Sequence, residues 1–278
     1  MTIKNHDFNP ESLTDLTATV SMDCATVALP DDFVSDPAVL SQIILSFWGH
    51  ILYMRNQIPL PLANIVGAGL QNFVSSADTQ IKSRDQTIKK LLKFDTVYQS
   101  LSSSIHSMLR SLGDQCRLHS LKAVYIMIGP SSSCSREAHV LHFNIPRHDG
   151  FPDGEKQKIT ELQLETCKRQ LIRTMISNWS PDPKTSPLTN SFIVLQLRGS
   201  TSTENGGSLL GSDFSEFSLK EGYKIRVRKK SPPSFNLQVN SLVSPDVEFS
   251  DSAECDDSSA PEFWVVLRKG VKAVKSIG

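Results

Sequence analysis

The sequence predicts an α+β fold, a mainly antiparallel sheet packed on three helices with one long central helix. Three observations carry that expectation. Between Gly69 and Gly113 no glycine or proline interrupts the chain. Within that stretch Phe94, Val97, Tyr98, Leu101, Ile105, Met108, Leu109 and Leu112 recur at offsets of three and four, the spacing of one helix face. Next, Leu121–Ile128 (LKAVYIMI) is an apolar run of strand length, and Glu137–Ile145 (EAHVLHFNI) returns after a Gly129-Pro130 turn. Finally, the last third of the chain holds short strand-like runs separated by polar loops.

Taken in order, residues 1–18 read as a disordered polar tail and residues 19–278 as one domain. Thr19–Leu29 is rich in β-branched residues and reads as an edge strand before Pro30. Asp36 is placed to cap a helix and Pro37 to occupy its first position, where a missing N–H costs nothing. Leu40, Ile43, Ile44, Phe47, Trp48, Ile51 and Leu52 then form a wide apolar stripe. That helix is expected to end before Pro59, with Ile58-Pro59-Leu60-Pro61 as a stiff extended turn.

The long helix is expected over Gln80–Leu112, roughly 50 Å at ~1.5 Å per residue. Gly113 is expected to be its left-handed stop. Lys82, Arg84, Asp85, Lys89, Lys90, Ser102 and Ser103 lie on its other sides. A third helix is expected over Glu155–Trp179. Leu164, Cys167, Leu171 and Met175 mark its inner face, Ile172, Ile176 and Trp179 its flank, and Pro181, Pro183 and Pro187 its end. Ser191–Leu197 reads as a strand and 199–216 as a mobile loop. Tyr223–Lys229 alternates, with Tyr223, Ile225 and Val227 on the buried side, and Phe235–Val243 reads as a further strand. The acidic stretch within 245–261 is expected to be a solvated loop, and Glu262–Leu267 a final strand.

Twenty-nine basic and 29 acidic residues give a formal net charge of zero, so no global field draws this chain to nucleic acid or an anionic membrane. No apolar run reaches the ~18 residues of a spanning helix, and the first residues lack the apolar core of a signal peptide. Cys24, Cys116, Cys134, Cys167 and Cys255 are scattered and odd in number without a C-x-x-C pair, which favours reduced thiols inside the cell.

Motifs for chemistry are weak. His139 and His142, three apart on a strand, point to opposite faces and do not make a metal pair. GPSSSCS at 129–135 lacks the second glycine and the Lys-Ser/Thr of a phosphate loop. No nucleophile-elbow spacing supports a hydrolase. The basic run Lys224, Arg226, Arg228, Lys229, Lys230 reads as the wet face of a strand. Ser180, Ser186, Ser231 and Ser244 each precede proline and offer proline-directed phosphorylation sites at element ends. No catalytic residue, cofactor or metal is expected.

The order of helix, long helix, apolar hairpin, helix and late strands resembles the HORMA fold. Ile51-Leu52-Tyr53-Met54-Arg55 resembles the I-L-Y-x-R end of the first HORMA helix, where Arg55 is expected to answer exposed carbonyls at the negative helix end. The Ile58-Pro59-Leu60-Pro61 that follows resembles the Mad-two-binding comet adaptors, which silence the spindle checkpoint. Weaker matches are Cys167…Arg169…Leu171…Arg173, Tyr223–Val227 and Phe263-Trp264. The resemblance implies a non-enzymatic adaptor that docks on the closed form of a Mad-two-like HORMA checkpoint protein. It then presents that client to a Pch-two-type AAA+ ATPase for remodelling, in mitosis and also for a meiotic axis protein, in nucleus and cytoplasm and at the kinetochore or spindle. It implies client-contact residues Tyr53, Met54, Gln57, Lys168, Arg169, Ile172 and Ile176. It also implies an ATPase-contacting segment at Phe217, Ser218, Leu219 and Lys220. Ile172 stands where the family places an exposed aromatic anchor, and Met54 where the vertebrate form has glutamine. The alternative is a HORMA protein that itself traps a closure peptide.

Overall fold

The computed structural model describes residues 13–15, 25–30, 36–67, 69–71, 82–114, 118–145, 159–178, 188–198, 217–221, 223–228, 236–242 and 262–274. Three long helices are α1 (Pro37–Met54), α2 (Lys82–Asp114) and α3 (Glu161–Asn178). In chain order the strands are β1 (Leu13–Asp15), β2 (Ala25–Pro30), β3 (Leu121–Gly129), β4 (Glu137–Asn144), β5 (Asn190–Arg198), β6 (Phe217–Glu221), β7 (Arg226–Arg228), β8 (Asn236–Leu242), β9 (Glu262–Leu267) and β10 (Val271–Lys272). The class is α+β, as the sequence predicts.

The main sheet runs β2-β8-β4-β3-β5-β9-β6, with β10 also pairing on β5. Pairing is antiparallel from β4 through β6, while β2–β8 and β8–β4 are parallel. Side chains along the central strands divide by alternation. Val124, Ile126 and Ile128 of β3, Ile193, Leu195 and Leu197 of β5, and Phe263, Val265 and Leu267 of β9 face the helices. Met127, Phe192, Val194, Trp264 and Val266 form a second cluster, which Tyr223 and Ile225 complete. Burial on both faces explains why β3 and β9 read as continuous apolar runs. A register shift between Leu121 and Ala123 breaks the alternation and lets Leu121 join the same helix-side core as Val124.

Asp36 Oδ1 accepts from the N–H groups of Ala38 and Val39 at 2.7 and 3.4 Å, capping α1 with Pro37 in its first turn. Trp48 is fully buried and its ring stacks on Phe94 and Tyr98 of α2, with centroids 5.9 and 6.4 Å apart. Its Nε1 donates to Ser191 Oγ of β5 at 3.2 Å, and that hydroxyl donates to the Val271 carbonyl of β10. One indole therefore joins α1 and α2 to the sheet.

Several expectations are corrected. Gly113 does not stop α2, which continues to Asp114; a Cβ on Gly113 would come within 2.9 Å of Pro37 Cγ, so close packing requires the glycine. Val97 is 39% exposed, off the buried stripe. Ile159 and Thr160 are not helical, and α3 starts at Glu161. Thr160 and Gln163 make the reciprocal bonds of a capping box: Thr160 N donates to Gln163 Oε1 at 2.8 Å, and Gln163 N to Thr160 Oγ1 at 3.3 Å. Residues 155–158 and 179 of the expected helix lie outside the described residues, as do the expected loops at 199–216 and 245–261. Leu13–Asp15, placed in the loose tail by sequence, pair with β7. Phe217–Glu221 form a strand that composition did not reveal. Tyr223 and Ile225 are buried as expected but precede the short strand β7. Finally, α1 is 18 residues long and apolar enough to cross a membrane by length and composition, although 61% of it is buried against the rest of the protein. Its place in the core accounts for its composition.

Candidate functional site

The expected client-contact residues lie on two elements, the end of α1 and the outer side of α3, and these helices pack on one another. Local chemistry shapes the end of α1. Asn56 adopts φ 52°, the left-handed region that asparagine tolerates better than most residues. Its N–H reaches the Tyr53 carbonyl at 3.0 Å, and the Gln57 N–H reaches the Leu52 carbonyl at 2.8 Å. This is the paired bonding of a Schellman stop, built here on asparagine. The proline pair beyond it follows a helix already ended.

Arg55 caps α1 with its backbone N–H, which donates to the Ile51 carbonyl at 2.9 Å, and its side chain reaches inward to the central hairpin. It is buried, and its Nε lies 2.7 Å from Glu137 Oε2 at the start of β4, with Glu137 also buried. His139 Nε2 sits 3.3 Å from the same carboxylate oxygen. Desolvation lowers the His139 pKa and the Arg55 charge adds to that, while Glu137 opposes it. The result is a buried polar knot between the end of α1 and the central hairpin.

Gln57, expected at the client surface, is instead 1% exposed. Its Nε2 donates to the Arg55 carbonyl at 3.0 Å, its Oε1 accepts from Thr189 N at 3.0 Å, and its carbonyl accepts from Val274 N at 2.7 Å. It fastens the approach to β5 and the segment after β10 onto the turn. Tyr53 is 39% exposed and Met54 half-buried, so of the expected contact residues at this turn these two reach the surface, beside the exposed Asn56.

On α3, Cys167, Leu171 and Met175 are buried and Leu164 is half-buried, as the spacing predicts. Burial raises the Cys167 thiol pKa, which leaves it a packing residue rather than a nucleophile. Opposite this stripe, Arg169 is exposed and Ile176 is 56% exposed, while Ile172 is half-buried on the flank. Lys168 is half-buried and pairs with Glu165 at 2.9 Å. Leu162, 73% exposed in the first turn, was not anticipated. The sequence T-E-L-Q at 160–163 held the signal, because its capping box fixes the helix start and so the outward phase of Leu162.

The expected ATPase-contacting segment is β6, an edge strand bonded to β9. Phe217 is buried in the main core, so its side chain is no surface contact; Leu219 is half-buried against the same core. Ser218 Oγ donates to the Val266 carbonyl at 3.4 Å. Lys220 is exposed, with its Nζ 5.2 Å from the Tyr223 ring centre. Tyr223 in turn donates its hydroxyl hydrogen to the Ser132 carbonyl in the β3–β4 turn. Since α3 packs on β2 and β6 ends the opposite side of the sheet, six strand spacings separate the two regions, roughly 29 Å at ~4.8 Å per spacing.

A cavity of about 410 Å³ lies where the start of α1, the middle of α2 and the start of α3 meet, lined by Asp36, Val39, Gln42, Ser102, His106 and Leu164 among others. Among the described residues no group of three or more His, Cys, Asp or Glu side chains is arranged to hold a metal ion. Comparison with known protein families finds no match, and comparison with curated proteins finds none either.

Proposed function

We propose that this protein is a non-enzymatic adaptor that binds the closed form of a HORMA checkpoint protein and presents it to a Pch-two-type AAA+ ATPase. In that role it promotes disassembly of checkpoint complexes and serves meiotic HORMA remodelling by the same contact. The observation that carries the reading is on α3. Ile176 and Leu162 are held out of the core on a helix whose other side is anchored by Cys167, Leu171 and Met175. Apolar side chains on a rigid exposed helix suit a desolvated protein–protein contact. Tyr53 and Met54, at the end of the helix that packs on α3, belong to the same proposed contact.

The six strand spacings from β2, on which α3 packs, to β6, roughly 29 Å along the sheet, support a two-partner role, since a client on one edge leaves the other free for the ATPase. Of the four expected residues 217–220, Lys220 is fully at the surface, with Ser218 and Leu219 partly so. The adaptor reading is preferred to peptide trapping because β5 is bordered by the chain's own strands, β3 on one side and β9 and β10 on the other. Reconstitution tests it: this protein should accelerate ATP-driven conversion of a closed HORMA client to its open form. A conversion rate unchanged by saturating protein would refute the role.

A further inference from the structure

We propose that the outer face of α2 between Lys89 and Val97 is a docking surface for an acidic, partly apolar protein segment. Lys89, Lys90 and Lys93 are exposed, and none is ion-paired with a described residue. No acidic residue occurs between Gln86 and Phe94. Asp95, the next one along, is held in place by neutral donors: its Oδ1 accepts from the Gly67 N–H at 3.0 Å and from Gln99 Nε2 at 3.2 Å. Asp85 and Asp95 bracket this run, and on the two turns between them Lys89, Lys90 and Lys93 are the only charged side chains.

Apolar surface is interleaved with that charge. Leu92 is 49% exposed and Val97 39%, although α2 already has a complete buried stripe in Leu91, Phe94, Leu101 and Ile105. Helical spacing sets Leu92 beside Lys89, three residues back, and Val97 beside Lys93, four back. Lys89 to Val97 spans about 12 Å along the axis, two turns of a partner helix or four residues of an extended one.

This mixture selects the class of partner. Carboxylates match the lysine charges, and a leucine or phenylalanine among them covers Leu92 or Val97. A nucleic-acid backbone would use the charge but leave the apolar surface wet, and no aromatic side chain on this face is free to stack on bases. A membrane would require the apolar side of α2 to insert, and that side is buried in the core.

Fluorescence anisotropy with a labelled peptide of repeated Glu-Glu-Leu-Glu units tests the proposal on the full chain. Binding is expected, weakening as salt rises from about 50 to about 300 mM. The Lys89→Glu/Lys93→Glu pair should lower affinity by at least tenfold, and Leu92→Ser severalfold with the salt dependence retained. Lys269→Glu, an exposed lysine elsewhere, should change nothing. Circular dichroism melts verify that every variant is folded, and a Lys89→Gln/Lys93→Gln pair replaces the reversal if it is not. Equal binding by the charge-changed and parent proteins would overturn the proposal. So would equal binding of a leucine-free polyglutamate peptide, or tighter binding of duplex DNA or anionic phosphatidylserine vesicles.

Discussion

Arg55 Nε and Glu137 Oε2 lie 2.7 Å apart with both side chains buried, tying the residue that caps the end of α1 to the first residue of β4. Removing one partner strands the other charge in the core. Arg55→Met alone should cost on the order of 3–5 kcal/mol, whereas Arg55→Met combined with Glu137→Leu should recover much of the loss. Urea unfolding of both single variants and the double variant measures this. Additive losses would mean that the two residues do not act as a pair.

The stop at Asn56 is conformational. With φ 52°, Asn56→Gly should be neutral or stabilising, and Asn56→Ala should cost about 1 kcal/mol because its Cβ opposes the left-handed turn. Thermal melts that rank alanine above glycine would contradict the Schellman reading.

Gln57 supports the fold from inside. Gln57→Leu leaves the Thr189 N–H and the Arg55 carbonyl without their side-chain partner, a loss of about 1–3 kcal/mol. Client affinity, measured where the variant is still folded, should stay close to the parent value. A large affinity loss with unchanged stability would return Gln57 to the contact surface.

Acid should destabilise the protein through three histidines. Burial lowers the pKa of His50, His139 and His142 below the ordinary 6.5. His50 Nε2 also has no hydrogen-bond partner among the described residues. The unfolded chain then binds more protons than the folded one near pH 6.5 and below, so stability rises with pH through that range. Their contribution is complete above pH 6.5 and is lost as pH falls toward the folded-state values. Urea midpoints should drop between about pH 7.5 and about pH 5.5, and His142→Gln should flatten part of the fall. A midpoint that rises on acidification would reverse the sign.

Local signals made much of this fold readable. Asp36 and Pro37 announced α1, the period of Leu101, Ile105, Met108 and Leu112 announced α2, and the apolar run 121–128 announced the central strand. What escaped depended on partners distant in sequence. Five residues of β6 carry only Phe217 and Leu219 as apolar content, too little to mark a strand without β9 beside it. The parallel pairings of β2 and β8 rest on register between the two ends of the chain. Gln57 was misplaced because burial of an amide is invisible until Thr189 and Val274 are seen to reach it. For the α3 surface the helical period gave the outer face, but only the capping box at Thr160 and Gln163 fixed where it begins.

Client binding by Ile176→Arg, set beside Leu171→Arg, tests the docking role of α3 most directly. Ile176 is 56% exposed, so its substitution should change stability by within about 0.5 kcal/mol. An arginine forced into a desolvated contact should cost 2 kcal/mol or more, on the order of 30-fold in affinity. Leu171 is 1% exposed, and Leu171→Arg should unfold the domain through a buried unpaired charge. The expected result is Ile176→Arg melting with the parent protein while pull-down of the closed HORMA client falls at least tenfold. Full retention of that client by a folded Ile176→Arg protein would contradict the α3 docking surface.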